Sequence, residues 1–185
     1  MLTRIISYGI IGALIVGSLM YTGSIGWTQG GDHQPTENGL VVGYLTQVIA
    51  LTFVFLGVKA HRDNALGGVI KFLPAFGIGL AISAIASLGW VISWEIVLSI
   101  SHFDMGAMMK EQMVAQAQAS GGGEAAIQKA IADADGFAKM YQNPLFRMPM
   151  SFIEMFPVGI LVSLISAAVL RNSRFLPAGR PALQE

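Results

Sequence analysis

The stretch FLPAFGIGLAISAIASLGWVISWEIVLS occupies residues 72–99 and contains a single ionisable side chain, Glu95. An α-helix rises about 1.5 Å per residue, so a helix of this length exceeds the roughly 30 Å hydrocarbon core of a bilayer. Pro74 falls in the first turn, where its missing N–H removes no hydrogen bond. The stretch therefore predicts a transmembrane helix and indicates that this part of the chain folds in lipid.

Three further apolar stretches predict three further spans, at about residues 5–26, 40–60 and 148–170. The first stretch is longer than a signal-peptide core and no small-residue cleavage site follows it, so we expect it to be retained. Of the 185 residues, 54% are hydrophobic and 12% are charged, whereas about a quarter of a soluble domain is charged. We predict an all-α polytopic membrane protein with four transmembrane helices.

Basic residues are distributed unevenly among the predicted connectors. They precede the first span, occupy the turn between the second and third spans, and follow the fourth span, at Arg4, Lys59, Arg62, Lys71, Arg171, Arg174 and Arg180. The positive-inside rule then places both termini in the cytoplasm. Lys59, Arg62 and Lys71 either mark this topology or contact anionic lipid headgroups. The eleven basic and eleven acidic residues cancel, so no basic field indicates nucleic-acid binding.

One long polar connector, residues 102–146, separates the third span from the fourth, and its Ala, Gln, Lys and Glu content favours helix. Gly121, Gly122 and Gly123 divide it into two arms. Asn143 and Pro144 end the second arm, because the residue before a proline avoids the α region. We predict three spans in residues 1–101, an extracytoplasmic helical hairpin in 102–146, a fourth span in 147–171 and a cytoplasmic tail in 172–185.

A row of methionines recurs at helical spacing on the first arm of this hairpin, at Met105, Met108, Met109 and Met113. Thioethers suit soft copper(I), but methionines also form adaptable apolar faces, which is the commoner use. We interpret the row as a surface that packs on the second arm or on a partner protein.

Two carboxylates, Glu95 and Glu154, lie inside predicted spans, where an unpaired charge costs about 3 kcal/mol. Counting from the predicted ends of the spans puts both near the outer face of the membrane, at matching depths. Three interpretations are open: a proton-binding pair, a metal site that includes His102, or an ion pair with Arg147 that ties the hairpin to the bundle. The ion pair is preferred, because zinc and hard-ion sites usually need more ligands.

Small residues recur every four positions within three of the spans. The rows are Gly9, Ala13 and Gly17; Ala75, Gly79, Ser83 and Ser87; and Gly159, Ser163 and Ala167. In lipid, such rows let helix backbones approach closely. We expect them to pack the helices of one bundle together, with contact to another subunit as the alternative.

Several groups of residues together resemble a known family. They are Gly57-Val58-Lys59, Arg62-Asp63-Asn64, Gly67-Gly68, Ala75-Phe76, Gly79-Leu80, Trp94-Glu95, Tyr141-x-Asn143-Pro144-Leu145-Phe146-Arg147 and Glu154-x-Phe156-Pro157-Val158-Gly159. Over residues 43–171 the chain resembles the bacterial domain-of-unknown-function family 4199. The resemblance implies a four-helix protein of the bacterial inner membrane with a helical insertion before the last span, and it implies no activity.

No Gly-rich phosphate loop, nucleophile elbow or HExxH motif occurs in the chain, so the sequence argues against an enzyme, and we expect no cofactor. The leading hypothesis is a non-enzymatic accessory or assembly subunit, surrounded by membrane lipids, that contacts a larger inner-membrane complex or a second copy of itself. The alternative is a small proton- or cation-coupled transport or sensing protein that uses Glu95 and Glu154. An enzyme of lipid or envelope metabolism comes third.

Overall fold

Six α-helices make up the regular structure in the part of the chain that the computed structural model describes, residues 1–28, 37–101 and 104–178. They are α1 (Leu2–Thr28), α2 (Glu37–Ala65), α3 (Phe72–Ser101), α4 (Met105–Ala119), α5 (Glu124–Tyr141) and α6 (Pro144–Leu170). Helices α1, α2, α3 and α6 are each long and apolar enough to cross a membrane. The all-α fold with four candidate spans is therefore confirmed, while the side of the membrane on which α4 and α5 lie stays a prediction.

The four long helices form one bundle in which α2 and α3 each contact the other three. Helices α1 and α6 lie on opposite sides of this central pair and make no contact with each other within the described residues. Val16, Leu51, Ile82 and Met155, one from each helix, are almost completely buried in the core. The core therefore lies along α2 and α3, and the outer faces of all four helices are left for lipid.

Helices α3 and α6 pack closely because small residues face each other. A Cβ atom added at Gly79 would lie 2.9 Å from the Cβ atom of Ser163, and one added at Gly159 would lie 2.7 Å from that of Ser83. The Ser83 hydroxyl donates to the Gly159 carbonyl at 3.1 Å, and the Ser163 hydroxyl donates to the same carbonyl at 2.7 Å. These contacts show that α3 and α6 run antiparallel. A residue further along α3 therefore faces a residue correspondingly earlier in α6.

Helices α1 and α3 run parallel and approach each other in the same way. A Cβ atom added at Gly9 would lie 2.6 Å from the Ile85 Cβ atom, and one added at Gly89 would lie 2.1 Å from the Ala13 Cβ atom. The predicted rows of small residues therefore pack helices of one chain together. In lipid, where tails compete equally for apolar surface, this close van der Waals contact is a main source of helix association.

The predicted helical hairpin is confirmed as α4 and α5, which pack against each other at one end of the bundle. The Asp104 side chain caps α4 by accepting a hydrogen bond from the Ala107 amide at 3.0 Å. Gly121 takes a positive φ of 71° in the turn between the two helices, a conformation that glycine adopts without strain. Through α5 the hairpin packs on the start of α6, whereas α4 contacts no other helix in the described structure.

At the opposite end of the bundle, the Arg62 side chain is fully buried and holds the segment that follows α6. Its guanidinium donates to the carbonyl groups of Phe175 at 3.0 Å and Leu176 at 2.5 Å, and its Nε atom lies 2.6 Å from the Asp63 carboxylate. The expectation that Arg62 contacts lipid headgroups is thereby corrected, because unpaired backbone carbonyls nearby take up its donors. Lys71 is exposed, and Lys59 is partly exposed and pairs with Asp63 at 2.6 Å.

We predict that Gly89→Ala destabilises the protein, whereas Gly77→Ala in the same helix does not. The added methyl group at position 89 would overlap Ala13, and overpacking of this kind costs about 1–3 kcal/mol. At Gly77 the added atom would meet nothing within 4 Å. Thermal unfolding of the two variants in the same mild detergent measures the difference. Equal melting temperatures would contradict the close packing of α1 on α3.

Candidate functional site

A cavity of about 320 Å³ lies where the hairpin meets the bundle, at the end of α3 and the start of α6. Its walls carry charged and polar side chains: Glu95, Ser99, Asp104, Tyr141, Gln142 and Arg147. Two of the residues selected from the sequence, Glu95 and Arg147, therefore line the same cavity. The lining residues come from α3, α4, α5 and α6. Because two of these helices form the hairpin, the shape of the cavity depends on how the hairpin packs on the bundle.

Arg147 and Glu95 form a two-pronged ion pair across this cavity. The Arg147 Nε atom donates to Glu95 Oε1 at 2.6 Å and the Nη2 atom donates to Glu95 Oε2 at 2.5 Å. The side chains are 17% and 21% exposed. Parallel bonds of this kind are the strongest form of an arginine–carboxylate contact. The predicted pairing of Arg147 with a carboxylate of the third span is confirmed for Glu95.

The same guanidinium also reaches the hairpin. Its Nη1 atom donates to the Tyr141 carbonyl at 3.2 Å, and its central carbon lies 5.9 Å from the centre of the Tyr141 ring. Asn143 sets up this geometry, because its side chain accepts a hydrogen bond from the Leu145 amide at 3.0 Å and caps α6 one turn before Arg147. Arg147 therefore joins three elements: the end of α5, the start of α6 and α3.

Tyr141 adds a second link between the hairpin and α3. The Trp94 indole N–H donates to the Tyr141 hydroxyl at 2.6 Å. Phe137 stacks on the Tyr141 ring with 5.5 Å between ring centres and packs edge-on against Phe146 at 6.5 Å. Burial raises the pKa of the Tyr141 hydroxyl, against the opposing effects of the Trp94 N–H group and the Arg147 charge. The phenol is therefore neutral at physiological pH and acts as an acceptor, not as an ionised group.

Glu154 does not join this cluster, which corrects the expectation that the two carboxylates lie at matching depths. The register that pairs Gly79 with Ser163 and Glu95 with Arg147 brings Glu154 level with Leu88. Seven helical residues then separate Glu154 from the ion pair, about 10 Å further into the bundle. The prediction failed because α6 begins at Pro144, four residues before the predicted start of the span.

The Glu154 side chain is exposed on the outer face of α6, and no ion pair to it is found among the described residues. The Trp90 indole N–H lies near this carboxyl and interacts with it, although the pair does not reach strict hydrogen-bond geometry. Glu154 is therefore a carboxyl group near the middle of a membrane-spanning helix with no ion-pair partner in this part of the chain.

Two other sets of predicted residues are placed differently. His102 lies outside the described residues, so its proposed contribution to a metal site stays a prediction. Each of the four methionines Met105, Met108, Met109 and Met113 is half-buried in the hairpin. An ion pair between Lys110 and Asp135, 3.0 Å long and exposed, bridges the two arms beside them. Within the described residues, no three His, Asp or Glu side chains are grouped to hold a metal ion.

A polar layer in the bundle escaped the sequence analysis. Gln47 Oε1 and Ser87 Oγ are buried without a hydrogen-bond partner among the residues that the structure describes, and the buried Trp90 Nε1 has only the nearby Glu154 carboxyl. In the register of α3 against α6, Ser87 lies at the same level as the buried Met155. On α2, Leu51 contacts the position of Gly159, so Gln47, one helical turn before Leu51, lies at that level too. A polar residue inside a span was the available signal, but for glutamine and serine it is weak because both occur widely in packed helices.

We predict that removing either member of the Arg147–Glu95 pair lowers the free energy of unfolding by about 2–4 kcal/mol, because the remaining charge is left partly buried and unpaired. The double variant Arg147→Met with Glu95→Met should cost less than the sum of the single variants. Reversible unfolding in mixed micelles, followed by tryptophan fluorescence, measures each value. Lys110→Met, at an exposed ion pair, is the control and should change stability by less than about 1 kcal/mol. Additive losses would contradict direct coupling.

Comparison with known proteins adds one assignment. Neither a curated protein nor a solved structure matches the chain. A family model described as protein of unknown function (DUF4199) matches residues 7–172, which covers the first candidate span from its sixth residue onward, the other three spans and the hairpin. The chain therefore belongs to the DUF4199 family.

Proposed function

We propose that the protein is a non-enzymatic accessory or assembly subunit of a larger bacterial inner-membrane complex, and that a membrane-spanning helix of the partner packs on the outer face of α6. The exposed Glu154 carboxyl in the middle of that face is the observation that carries the proposal. An ionised carboxylate at the centre of a lipid-facing helix costs about 2.5–3.5 kcal/mol. A partner helix that offers a cation or a hydrogen-bond donor at this depth would offset that cost.

The surroundings of Glu154 support a protein partner. The exposed stripe of α6 is otherwise apolar and includes Met150, Ile153, Pro157, Leu161, Leu164, Ile165 and Ala168. Pro157 has no N–H group, so the Ile153 carbonyl lacks the amide donor that a helix normally supplies. Two acceptors, the Ile153 carbonyl and the Glu154 carboxyl, thus lie side by side where lipid tails offer no donor.

The hairpin supports the same proposal outside the membrane-spanning part. Helix α4 has no buried residue and contacts only α5 within the described structure. Its methionines are half-buried against the second arm and keep part of their surface free. Methionine side chains are flexible and polarizable, so they adapt to a partner surface. The hairpin would then extend the contact that α6 begins.

The alternative, a small proton- or cation-coupled transport or sensing protein, is favoured by a different observation. Gln47 and Ser87 are buried close to the level of Glu154, and each has a polar atom with no hydrogen-bond partner among the described residues. Such groups can line a path for an ion or a proton. Because Arg147 neutralises Glu95, Glu154 alone would carry the proton in this alternative.

The proposed orientation places both termini in the cytoplasm and the hairpin outside it. Contacts bring the basic segments to one end of the bundle: the Arg4 guanidinium lies 3.5 Å from the Ala60 carbonyl, and Arg62 holds the segment after α6. The hairpin packs at the other end. The positive-inside rule favours the cytoplasm for the end of the bundle where the basic segments lie, and so the opposite side for the hairpin.

We predict that a photo-crosslinking residue at position 153, beside Glu154, forms one discrete protein adduct in the native membrane. The same residue at position 88 is the matched control, since Leu88 is exposed at the same depth on α3. Glu154→Leu should abolish the adduct, and Glu154→Gln, which keeps a polar side chain, should retain part of it. Mass spectrometry identifies the adduct.

If only lipid adducts form at both positions, no partner protein packs on α6. If the adduct has twice the mass of the chain, the partner is a second copy of this protein and not a larger complex. The alternative function makes a different prediction for the same variants. In proteoliposomes, Glu154→Gln would then abolish a pH-dependent ion flux. The crosslinking pattern at position 153 would be the same with Glu154 and with Gln at position 154.

We predict that the S120C variant, altered in the α4–α5 turn, reacts with a membrane-impermeant maleimide in intact cells. The S173C variant, altered just after α6, should react only after the membrane is opened. The chain has no native cysteine, and both serines are exposed, so each label reports one position. Reversed labelling would overturn the proposed orientation.

A further inference from the structure

A groove of about 730 Å³ opens at the basic end of the bundle, where the start of α1, the end of α2 and the start of α3 meet. Most of its wall is apolar and includes Ile5, Leu66, Ile70, Pro74, Ile78 and Ala81. The remaining lining residues include His61 and Lys71, and none of them is acidic. Its volume falls in the range of about 300–1,000 Å³ that small-molecule sites occupy. The groove is therefore large enough for an extended apolar ligand with an anionic end.

His61 is the polar group in this groove that the bundle leaves unsatisfied. Its side chain is 8% exposed, and its Nδ1 atom is buried without a hydrogen-bond partner in the described part of the chain. A buried, unpaired imidazole nitrogen is costly, and structures generally supply a partner for one. Because His61 lines the groove, a ligand that occupies it can supply that partner.

Positive charge surrounds the same opening. Lys71 lines the groove and is exposed, and the Arg4 guanidinium lies 3.5 Å from the Ala60 carbonyl, one residue from His61. Helix α3 begins at Phe72, directly after Lys71, so the Phe72 and Leu73 amides and the positive end of the helix dipole lie at the groove as well. Anionic oxygens would be favoured at this place by charge and by hydrogen-bond donors together.

The position of the groove at the end of the spans is where we expect lipid headgroups to meet acyl chains. It is formed at the end of helices that are long enough to cross the membrane. The turn beside it exposes two apolar side chains, Leu66 and Val69, and keeps Ile70 buried. Apolar side chains next to a lysine are typical of a segment at the membrane interface.

We propose that this groove is a binding site for one anionic phospholipid. An acyl chain occupies the apolar part of the groove, and the phosphate group accepts hydrogen bonds from Lys71, His61 and the first amides of α3. The apolar wall matches the chain, and the absence of acidic lining residues matches the negative headgroup. This site is independent of the partner face on α6, which lies on the other side of the central helix pair.

The test is native mass spectrometry of the delipidated full-length protein in detergent, titrated with phosphatidylglycerol or with phosphatidylcholine that has the same acyl chains. We expect one phosphatidylglycerol adduct, retained at least fivefold more than phosphatidylcholine. Gly77→Phe should reduce this adduct at least fivefold, because Gly77 lines the groove and a Cβ atom added there meets nothing within 4 Å, so the ring is free to enter the groove. Ala81→Phe is a second groove-filling variant, used if the first is not monodisperse.

Two matched controls separate this site from general lipid contact. Gly23→Phe adds the same side chain at open space near the other end of α1 and should leave the adduct unchanged. Lys71→Gln should remove the preference for the anionic lipid, whereas Lys59→Gln should keep it, because Lys59 pairs with Asp63 outside the groove.

Four results would overturn the proposal. They are equal retention of the two lipids, an unchanged adduct in both groove-filling variants, displacement of the lipid by glycerol phosphate, and a lipid-free dimer. Displacement by glycerol phosphate would assign the groove to a soluble anion, and a lipid-free dimer would assign it to a second copy. None of these results bears on the crosslinking at α6, so the two proposals fail separately.

Discussion

Close approach of helix backbones along α3 determines how the rest of this protein is arranged. At Gly79, Gly89 and the facing Gly159, added Cβ atoms would lie within 3 Å of atoms on the neighbouring helix. Lipid tails solvate apolar side chains as well as a neighbouring helix does, so tight contact and hydroxyl-to-carbonyl hydrogen bonds must hold the helices together. Because the small residues fit in one register, they also fix the level of every other side chain on α3 and α6.

An arginine at each end of the bundle fastens a segment that does not span the membrane. At one end, Arg147 joins Glu95 to the Tyr141 carbonyl and so holds the hairpin. At the other end, the fully buried Arg62 donates to carbonyl groups after α6 and so holds the chain that follows. A guanidinium suits both places because its several N–H groups can serve a carboxylate and backbone carbonyls at once. Both arginines therefore hold a neighbouring segment against the bundle.

Between these two satisfied ends, the middle of the bundle contains polar groups with incomplete pairing. Glu154 faces outward without an ion-pair partner among the described residues, and Gln47 and Ser87 have unpartnered atoms inside. Structural polar groups in a membrane protein are normally paired, so these groups are the places where we propose that a further molecule or an ion binds. The contrast between the ends and the middle is the physical reason for directing functional experiments at the outer face of α6.

The amino-acid sequence by itself indicated that most of the chain folds in lipid, and it gave the number of helices and their approximate bounds. It could do so because the length of an apolar stretch and the helix-ending signals at Gly121 and Asn143–Pro144 are local features. It also identified Arg147 as a partner for a carboxylate, since few charges are available inside the spans. Only the tertiary structure decided that the partner is Glu95 and not Glu154, and that Arg62 is buried. Those outcomes depend on the register and rotation of the helices, which are set where small residues on one helix meet small residues on another. A sequence-based error of one turn in the start of a helix shifts the inferred level of every residue after it.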